Sequence, residues 1–376
     1  MSEVKPLLKN QLFNHETVGK IATEIKSVYQ GFDQEGFERE TLAMFPQLEL
    51  KERLSHISEM LKQYLPEDFE IALEIIQKAL PGPLDEHKGD NDFGEFIYAA
   101  YGEYIACYCC NDLYLQISLK ALREITKRFS VEYAIRDFIN RYPKETLEML
   151  ESCSNSMNYH ERRLASEGLR PKLPWAKKLT LPYDNAIYIL NNIYMDKTRF
   201  VTRSVANHLN DISKIDPGKV IELLKQWRAE GKQEHKEMEW ICRHALRTLV
   251  KQGDREALEF LGYKKDPDVK LGEMRLESLH IRLGEALIFH IDVEAKSDVD
   301  LMIDYVIHFQ NRFGKMSPKV FKIKKYQLSR GEVLQVRKAH GFKADMSTRK
   351  LYIGEHRVEL QINGTIVASK SFELKE

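Results

Sequence analysis

The sequence has few cysteines and no long apolar run, and each absence excludes a class of protein. Five cysteines in 376 residues are an odd number without a framework spacing. This excludes a disulfide-stapled scaffold and suits a reducing compartment. No apolar run approaches the roughly 20 residues that a membrane-spanning helix needs, and the first residues lack the apolar core of a secretory signal. We therefore expect a cytoplasmic protein that does not contact a membrane.

The chain also lacks the ligand pairs of a zinc site. Cys107 and Cys110 stand at CxxC spacing, but no second pair of Cys or His residues accompanies them. No phosphate-binding loop, Ser-His-Asp signature or dinucleotide fingerprint is present. The expectation is a protein without a metal ion or a cofactor.

Positive charge is scarce in the first third of the chain. Residues 1–110 hold 10 Lys and Arg against 20 Asp and Glu, residues 111–275 hold 30 against 24, and residues 276–376 hold 17 against 13. The densest basic stretch is 160–179. It predicts a surface that binds a polyanion, and the alternative is a solvated helix face followed by a basic loop.

Helical periodicity dominates the chain up to about residue 275, and part of it repeats. Arg163, Arg203 and Arg243 are separated by 40 residues each time and open similar phrases. A period of about 40 with two helices per unit is typical of a HEAT-like solenoid. The repeated arginines are either an exposed helical position or a basic track along the concave wall.

The apolar period changes to 2 in the remainder, which is typical of β-strands. Asn363 and Gly364 predict a type I′ turn between the last two strands, and the absence of cysteine after Cys242 leaves no inter-sheet disulfide. The fold class is therefore mainly α, with a HEAT-like α-helical solenoid over 1–275 followed by a small all-β immunoglobulin-like sandwich over 276–376. The predicted strands are 286–294, 301–309, 319–326 and 356–362.

Three segments of the helical region combine acidic, basic and aromatic residues. In 129–139, Glu132 and Arg136 stand at i and i+4 and can share one helical face, for which the simplest interpretation is a surface salt bridge. The segment 204–213 is an unusually polar helix end, whose ordinary interpretation is C-capping.

The longest of these segments is 162–175. Gly168 has the character of a helix C′ residue, so we expect the helix to end after Glu167. The proline-punctuated loop that follows should present Arg170 and Trp175. The alternative is a tryptophan buried beneath the loop.

Taken in this order over 129–139, 161–175 and 201–214, and followed by the phrase Ser-Pro-Lys-Val-Phe-Lys at 317–322, these segments resemble the AlkC family of DNA-alkylation-repair glycosylases. The phrase Arg-Arg-Leu-Ala-Ser-Glu-Gly with Arg-Pro-x-Leu-Pro-Trp is long and specific, and the similarity covers the whole chain. The resemblance implies hydrolysis of the N-glycosidic bond of cationic N-alkylated bases, 3-methyladenine and 3-methylcytosine, in double-stranded DNA. It also implies an abasic product and no deep base flipping.

The resemblance further implies which residues act. It makes Glu132 and Glu167 catalytic carboxylates with Asp211 as a further acid, and it places Trp175 beside the lesion. A cationic base leaves without a general acid, and carboxylates can then stabilise the oxocarbenium ion on the sugar. The residues expected to contact DNA are Arg163, Arg170, Arg203, Asn207, His208, Arg243, Lys322 and Lys324.

Lys322 and Lys324 belong to a basic strand of the β-rich region. Alternation predicts that they point outward while Phe321 and Ile323 point inward. The face is either a clamp on the duplex or a lysine-rich edge that prevents aggregation.

We expect a monomer that associates with the nucleoid when it binds alkylated DNA. The main alternative is a non-catalytic HEAT-repeat module that binds DNA or a protein. Carboxylates amid a basic face favour the enzyme, because binding a polyanion alone would not select them. The relative rates on 3-methyladenine, 3-methylcytosine and 7-methylguanine stay open.

Overall fold

The computed structural model describes residues 7–85, 87–90, 92–343 and 350–376. The chain separates into two compact units, one formed by Met1–Ile215 with Lys225–Ala245 and the other by Asp216–Leu224 with Leu246–Glu376. Over the described ranges, no helix combines the length and the apolar character needed to traverse a bilayer.

Helices account for most of the first unit, and the helical segments within 216–224 and 246–260 belong to the second. In chain order, α1 to α16 are Leu8–Leu12, His15–Val28, Gln34–Met44, Leu50–Tyr64, Phe69–Ala79, Ala99–Tyr108, Leu115–Ile125, Ile135–Arg141, Pro143–Ser154, Tyr159–Glu167, Ile187–Ile193, Arg199–Ile212, Pro217–Glu230, His235–Ala245, Arg247–Gln252 and Arg255–Phe260. Short 3-10 turns occupy Phe45–Gln47, Phe96–Tyr98 and Tyr183–Ala186.

Helix starts follow local capping chemistry. Asn14 and Thr17 form a reciprocal capping box at α2. Asp216 accepts a hydrogen bond of 2.9 Å from the Lys219 amide at the start of α13, as an N-cap side chain does. Pro143 occupies the first turn of α9, where its missing N–H costs nothing.

The later helices of the first unit pack in succession. Helix α10 packs against α9 and α12, and α12 packs against α14. Hydrogen bonds between them join residues close to the predicted repeat distance, as from Trp227 to Asn191 and from His244 to Asn207, which are 36 and 37 residues apart. The assignment to the HEAT class stays a prediction.

The second unit carries two sheets around a shared apolar core. In chain order, β1 to β9 are Val269–Leu271, Arg275–Leu276, His280–Arg282, Ala286–Ala295, Val299–Gln310, Met316–Leu328, Val333–Gly341, Gly354–Ile362 and Thr365–Lys375. In one sheet β4 pairs with β1, β2 and β7, and the other has the order β3-β9-β8-β5-β6. All pairs are antiparallel except β3 with β9. Phe289 of β4 and Tyr305 of β5 lie in the core between the sheets.

The predicted hairpin turn is confirmed. Asn363 and Gly364 have φ values of 45° and 79° and join β8 to β9, as a type I′ turn requires. A Cβ on Gly253, after α15, would lie 2.6 Å from the carbonyl oxygen of Gly364, so glycine permits this close approach. The boundary expected after residue 275 passes through β2, because strands of two or three residues give no periodic signal.

Candidate active site

The candidate site is built around the C-terminal end of α10. This helix starts after Asn158, whose side chain caps the His160 amide at 2.9 Å, and all of its residues except Arg162 are buried. It ends at Glu167, as expected. Gly168 is nevertheless right-handed (φ −61°, ψ −34°) and not a left-handed C′ residue. A Cβ here would lie 2.9 Å from Cγ2 of Ile135, so this glycine allows α8 to approach α10.

The predicted helical face shared by Glu132 and Arg136 is wrong. Helix α8 begins at Ile135, and Glu132 lies in the turn before it. Arg136 is buried and donates to the carbonyl oxygens of Gly168 at 3.0 Å, Arg170 at 2.9 Å and Lys177 at 2.5 Å. Burial, assisted by the charge of Arg170, lowers the pKa of Arg136 to about 10. Arg136 therefore fastens the segment after α10 instead of forming a surface salt bridge.

Three carboxylates and two arginines form a continuous chain of ion pairs. Arg163 Nη1 lies 2.8 Å from Glu132 Oε2, and its Nη2 lies 3.8 Å from Glu167 Oε1. Arg170 Nη1 lies 2.5 Å from Glu167 Oε1, and its Nε and Nη2 each lie 3.0 Å from Asp211 Oδ2. The three acids named from the sequence thus meet in one cluster. The cluster links helix α10, helix α12 and the turn that precedes α8.

Hydroxyl groups and one histidine orient Glu167. The Ser204 hydroxyl donates to Glu167 Oε2, because a carboxylate only accepts. Ser166 and Ser204 have their oxygens 2.9 Å apart, so Ser166 must donate to Ser204. His208 Nδ1 lies 3.0 Å from the Ser166 carbonyl oxygen. A directed network from α12 therefore fixes the Glu167 carboxylate.

Electrostatics favour the ionised forms of Glu167, Arg163 and Arg170. Burial acts to raise the pKa of Glu167, but the charges of Arg163 and Arg170 and the Ser204 hydroxyl outweigh it, so the pKa lies below its ordinary value. Burial acts to lower the pKa values of Arg163 and Arg170, and the neighbouring carboxylates raise them overall.

Glu132 is the most accessible of the three acids. Its side chain is 14% exposed, against 6% for Glu167 and 3% for Asp211. Its Oε2 accepts from Arg163 and from the Ser130 hydroxyl at 2.8 Å. Its Oε1 accepts no hydrogen bond from any residue that the structure describes, so one carboxylate oxygen stays open.

Trp175 is 66% exposed, which confirms the prediction that the loop presents it and overturns the buried alternative. Its φ of 66° lies in the left-handed region, where a bulky residue costs about 1–3 kcal/mol. Lys51 Nζ on α4 donates to the Trp175 carbonyl oxygen at 2.6 Å. The prediction that the same loop presents Arg170 is wrong, because this side chain is buried against Glu167 and Asp211.

The remaining residues expected to bind DNA occupy different environments. His208 is fully buried, so in this position it supports Glu167 and has no surface for DNA. Asn207 Oδ1 lies 2.9 Å from His244 Nε2, and Arg203 pairs with Asp90. Arg243 is 49% exposed and lies 3.9 Å from Glu239. Because Arg163 is buried, the three repeated arginines do not form one exposed row.

Lys322 and Lys324 are exposed on β6, while Phe321 and Ile323 pack against the core, so the predicted alternation is confirmed. β6 is the edge strand of its sheet in the part of the chain that the structure describes. This position is compatible with a DNA clamp and with an edge that prevents aggregation. Contacts of these lysines with DNA stay a prediction.

Sequence reasoning missed the polar support of the site. Ser166 and Ser204 both lie within the segments already singled out, and they are 38 residues apart, close to the repeat distance. That coincidence was a signal for their contact. Lys51 and the carbonyl contacts of Arg136 gave no such signal. No group of three or more His, Cys, Asp or Glu side chains is arranged to hold a metal ion within the described ranges.

Comparison with known proteins defines the class and then the family. The family model of the C-terminal Ig-like domain of the uncharacterised protein YhaZ matches residues 270–376, so this part of the chain is of the Ig-like class. Its sequence is 32% identical over 369 residues to YhaZ of Bacillus subtilis (strain 168), described as uncharacterized, covering 97% of the chain and 98% of YhaZ. The Pseudomonas fluorescens alkylpurine DNA glycosylase AlkC, solved on DNA containing an abasic site analog, matches with a TM-score of 0.86 and 33% identity over 99% of this chain and 100% of AlkC. The chain belongs to the family of AlkC and YhaZ.

Proposed function

We propose that the protein is a DNA glycosylase that removes cationic N-alkylated bases from double-stranded DNA and leaves an abasic site. The similarity to AlkC over the whole chain supports this reaction class. The observation that carries it is the buried chain of ion pairs from Glu132 through Glu167 to Asp211. The proposed substrates are 3-methyladenine and 3-methylcytosine.

The chemistry of the leaving group explains why carboxylates suffice. A base methylated on a ring nitrogen already carries positive charge, so it needs no general acid to depart. Charge then develops on the sugar, and fixed carboxylates in a water-poor site stabilise it strongly. Glu132 Oε1, the open acceptor, would hold the attacking water, while Glu167 and Asp211 supply fixed negative charge.

Trp175 would contribute recognition. An exposed indole can stack on a cationic base or pack on the deoxyribose, with a cation–π contribution of about 0.5–2 kcal/mol. This interaction depends on charge and not on neighbouring bases. The enzyme should therefore show little sequence preference.

The scaffold would supply contacts with the DNA backbone. We propose that the successive helices form a HEAT-like array and that the duplex is not deeply flipped. Exposed cations on this array and on the β-rich unit, such as Arg243, Lys322 and Lys324, would bind phosphates. Such contacts give salt-dependent affinity without sequence choice.

The deciding experiment is release of methylated bases from methylated duplex DNA. We expect metal-independent release of 3-methyladenine in the presence of EDTA, and a loss of about 10²-fold or more in Glu132→Gln and Glu167→Gln. Glu161→Gln is the matched control, because Glu161 is buried on the same helix but pairs with Arg123 at 2.6 Å and Lys127 at 3.2 Å. DNA affinity should persist in all three variants.

The alternative function is a non-catalytic HEAT-repeat module that binds DNA or a protein. If the intact protein binds methylated duplex DNA but releases no base, the enzyme proposal is contradicted. The result would favour the non-catalytic binding module. Equal losses of activity in Glu161→Gln and Glu167→Gln would instead assign the carboxylates a structural role.

A further inference from the structure

A cavity of about 220 Å³ lies between α4 and the segment that carries Trp175. Leu50 and Leu54 of α4 provide an apolar wall, and Phe96, Tyr133 and Trp175 provide aromatic walls. Sites for drug-sized ligands occupy roughly 300–1,000 Å³, so this cavity suits a smaller molecule such as a single purine or pyrimidine ring system. Aromatic walls are suited to stacking against a planar heterocycle.

The charged groups around this cavity neutralise one another. Lys177 Nζ lies 2.7 Å from Asp137 Oδ1, and Lys51 Nζ is bound to the Trp175 carbonyl oxygen. Glu103 is the other acidic group of the lining. Two lysines therefore balance two carboxylates, and such a lining favours a neutral ligand over a cation.

Tyr133 connects this cavity to the ion-pair cluster. It follows Glu132 directly in the sequence and also lines the cavity. Burial, followed by the charges of Glu132 and Glu167, raises the pKa of Tyr133 to about 12. One wall of the cavity thus lies within the electrostatic reach of both carboxylates.

We propose that this cavity receives the excised base after the glycosidic bond is broken. The proposal rests on the proposed glycosylase function. When the C1′–N bond breaks, its electron pair goes to the base, which loses its positive charge and leaves neutral. Water adds to C1′ and gives a proton to a carboxylate. A neutral cavity beside the cluster therefore matches the product and not the cationic substrate, and it needs no flipped nucleotide.

Binding of free 3-methyladenine to full-length protein without DNA tests this, by equilibrium dialysis at about pH 8, where the base is neutral. We expect saturable binding that weakens at least tenfold in Leu54→Trp, whose larger ring would fill the cavity. Ser55→Trp, which adds a ring from an exposed position on the rim, should weaken it similarly. The control is Leu113→Trp, at a position that is 74% exposed and outside the cavity.

The outcomes separate this proposal from the proposed function. Failure of the intact protein to bind 3-methyladenine, or equal binding by Ser55→Trp, overturns the cavity assignment even when base release from DNA is normal. If 3-methyladenine binds in the cavity but the protein releases no base from methylated DNA, the glycosylase proposal is overturned. The cavity then remains a binding site for a purine. A permanently cationic dimethyladeninium ion should bind more weakly than 3-methyladenine, and equal or tighter binding would overturn the argument from charge.

Discussion

At the scale of single residues, His208 shows how the site controls protonation. Its ring has no exposed surface, and a carbonyl oxygen can only accept, so Nδ1 carries the proton towards Ser166. Burial, together with the positive charge of Arg170, lowers the pKa of His208 to about 3. The ring is therefore neutral at physiological pH.

This histidine should make stability depend on pH. Because its folded pKa lies below the unfolded value near 6.5, the unfolded chain takes up the proton first as the pH falls. The stabilisation is complete above about pH 6.5 and declines towards pH 3. We expect His208→Asn, which keeps a donor but does not titrate, to lose less unfolding free energy between pH 6.5 and 4 than intact protein, measured by urea denaturation.

The matched control is His15→Asn, at an exposed position. It should follow the pH dependence of the intact protein. Buried His160 and half-buried His340, whose pKa values burial lowers to about 4, remain in all variants and give the shared background. Parallel curves for His208→Asn and intact protein would contradict this account.

The acidic residues of the site could be predicted from the sequence, but their partners could not. Glu132, Glu167 and Asp211 were named from their motifs, and the structure brings all three together. That Arg170 faces inward depends on α12 placing Asp211 beside α10, which is a long-range fact. The local sequence around Arg170 predicts a loop and nothing about the direction of its side chain.

At the scale of elements, the contact between α8 and α10 depends on one missing side chain. Gly168→Ala would place a Cβ 2.9 Å from Ile135 Cγ2 and 3.1 Å from the Leu164 carbonyl oxygen. Such overpacking costs about 1–3 kcal/mol. We expect this loss of unfolding free energy in urea denaturation.

A double-mutant cycle with Ile135→Ala isolates the contact. Ile135→Ala removes Cγ2 and makes room for the new methyl group, so Gly168→Ala should cost less in that background than in the intact chain. Equal costs in both backgrounds would show that Ile135 does not restrict this position.

One error and one omission of sequence reasoning arose where tertiary contacts override local preference. The residues before Ile135 have the composition of a helix, but Glu132 is engaged by Ser130 and Arg163 in a turn. The exposure of Trp175 followed from the prolines around it. Its left-handed backbone did not, because the contacts around it come from distant residues: Lys51 donates to the Trp175 carbonyl oxygen and Arg136 to that of Lys177.

At the scale of the whole molecule, substitution of the lysines of β6 tests whether the second unit contributes to DNA binding. If they bind phosphates, the double variant Lys322→Gln with Lys324→Gln should weaken DNA binding and flatten its logarithmic salt dependence by about 2, close to 0.9 per lost contact. The control replaces Lys270 of β1 and Lys296 just after β4, which are exposed and belong to the other sheet of the unit. Duplex affinity at several salt concentrations measures both.

Unchanged DNA affinity in the double variant would contradict the hypothesis that this strand clamps the duplex. Increased self-association of that variant in sedimentation would then support the lysine-rich edge as protection against aggregation. The two outcomes assign the same strand to different roles.

The division into helical and β-rich parts and the final hairpin could be predicted, since both depend on local periodicity and turn chemistry. The grouping of α15 and α16 with the strands could not. It depends on contacts such as Gly253 with Gly364, which join positions 111 residues apart in the sequence. A pattern of apolar residues contains no information about that pairing.

The hydrogen bonds of the helical unit imply an order of folding. Neighbouring helices are joined across short stretches of chain, such as the 36 residues between Asn191 and Trp227 and the 42 between Ser166 and His208. The bond from Lys51 to Trp175 closes 124 residues. Short loops close at lower entropic cost, so we expect neighbouring helices to pack together before the distant segments meet. The backbone of Trp175 receives this bond only when both distant segments are in place, and we expect the segment that carries Trp175 to be the last part of this unit to become fixed.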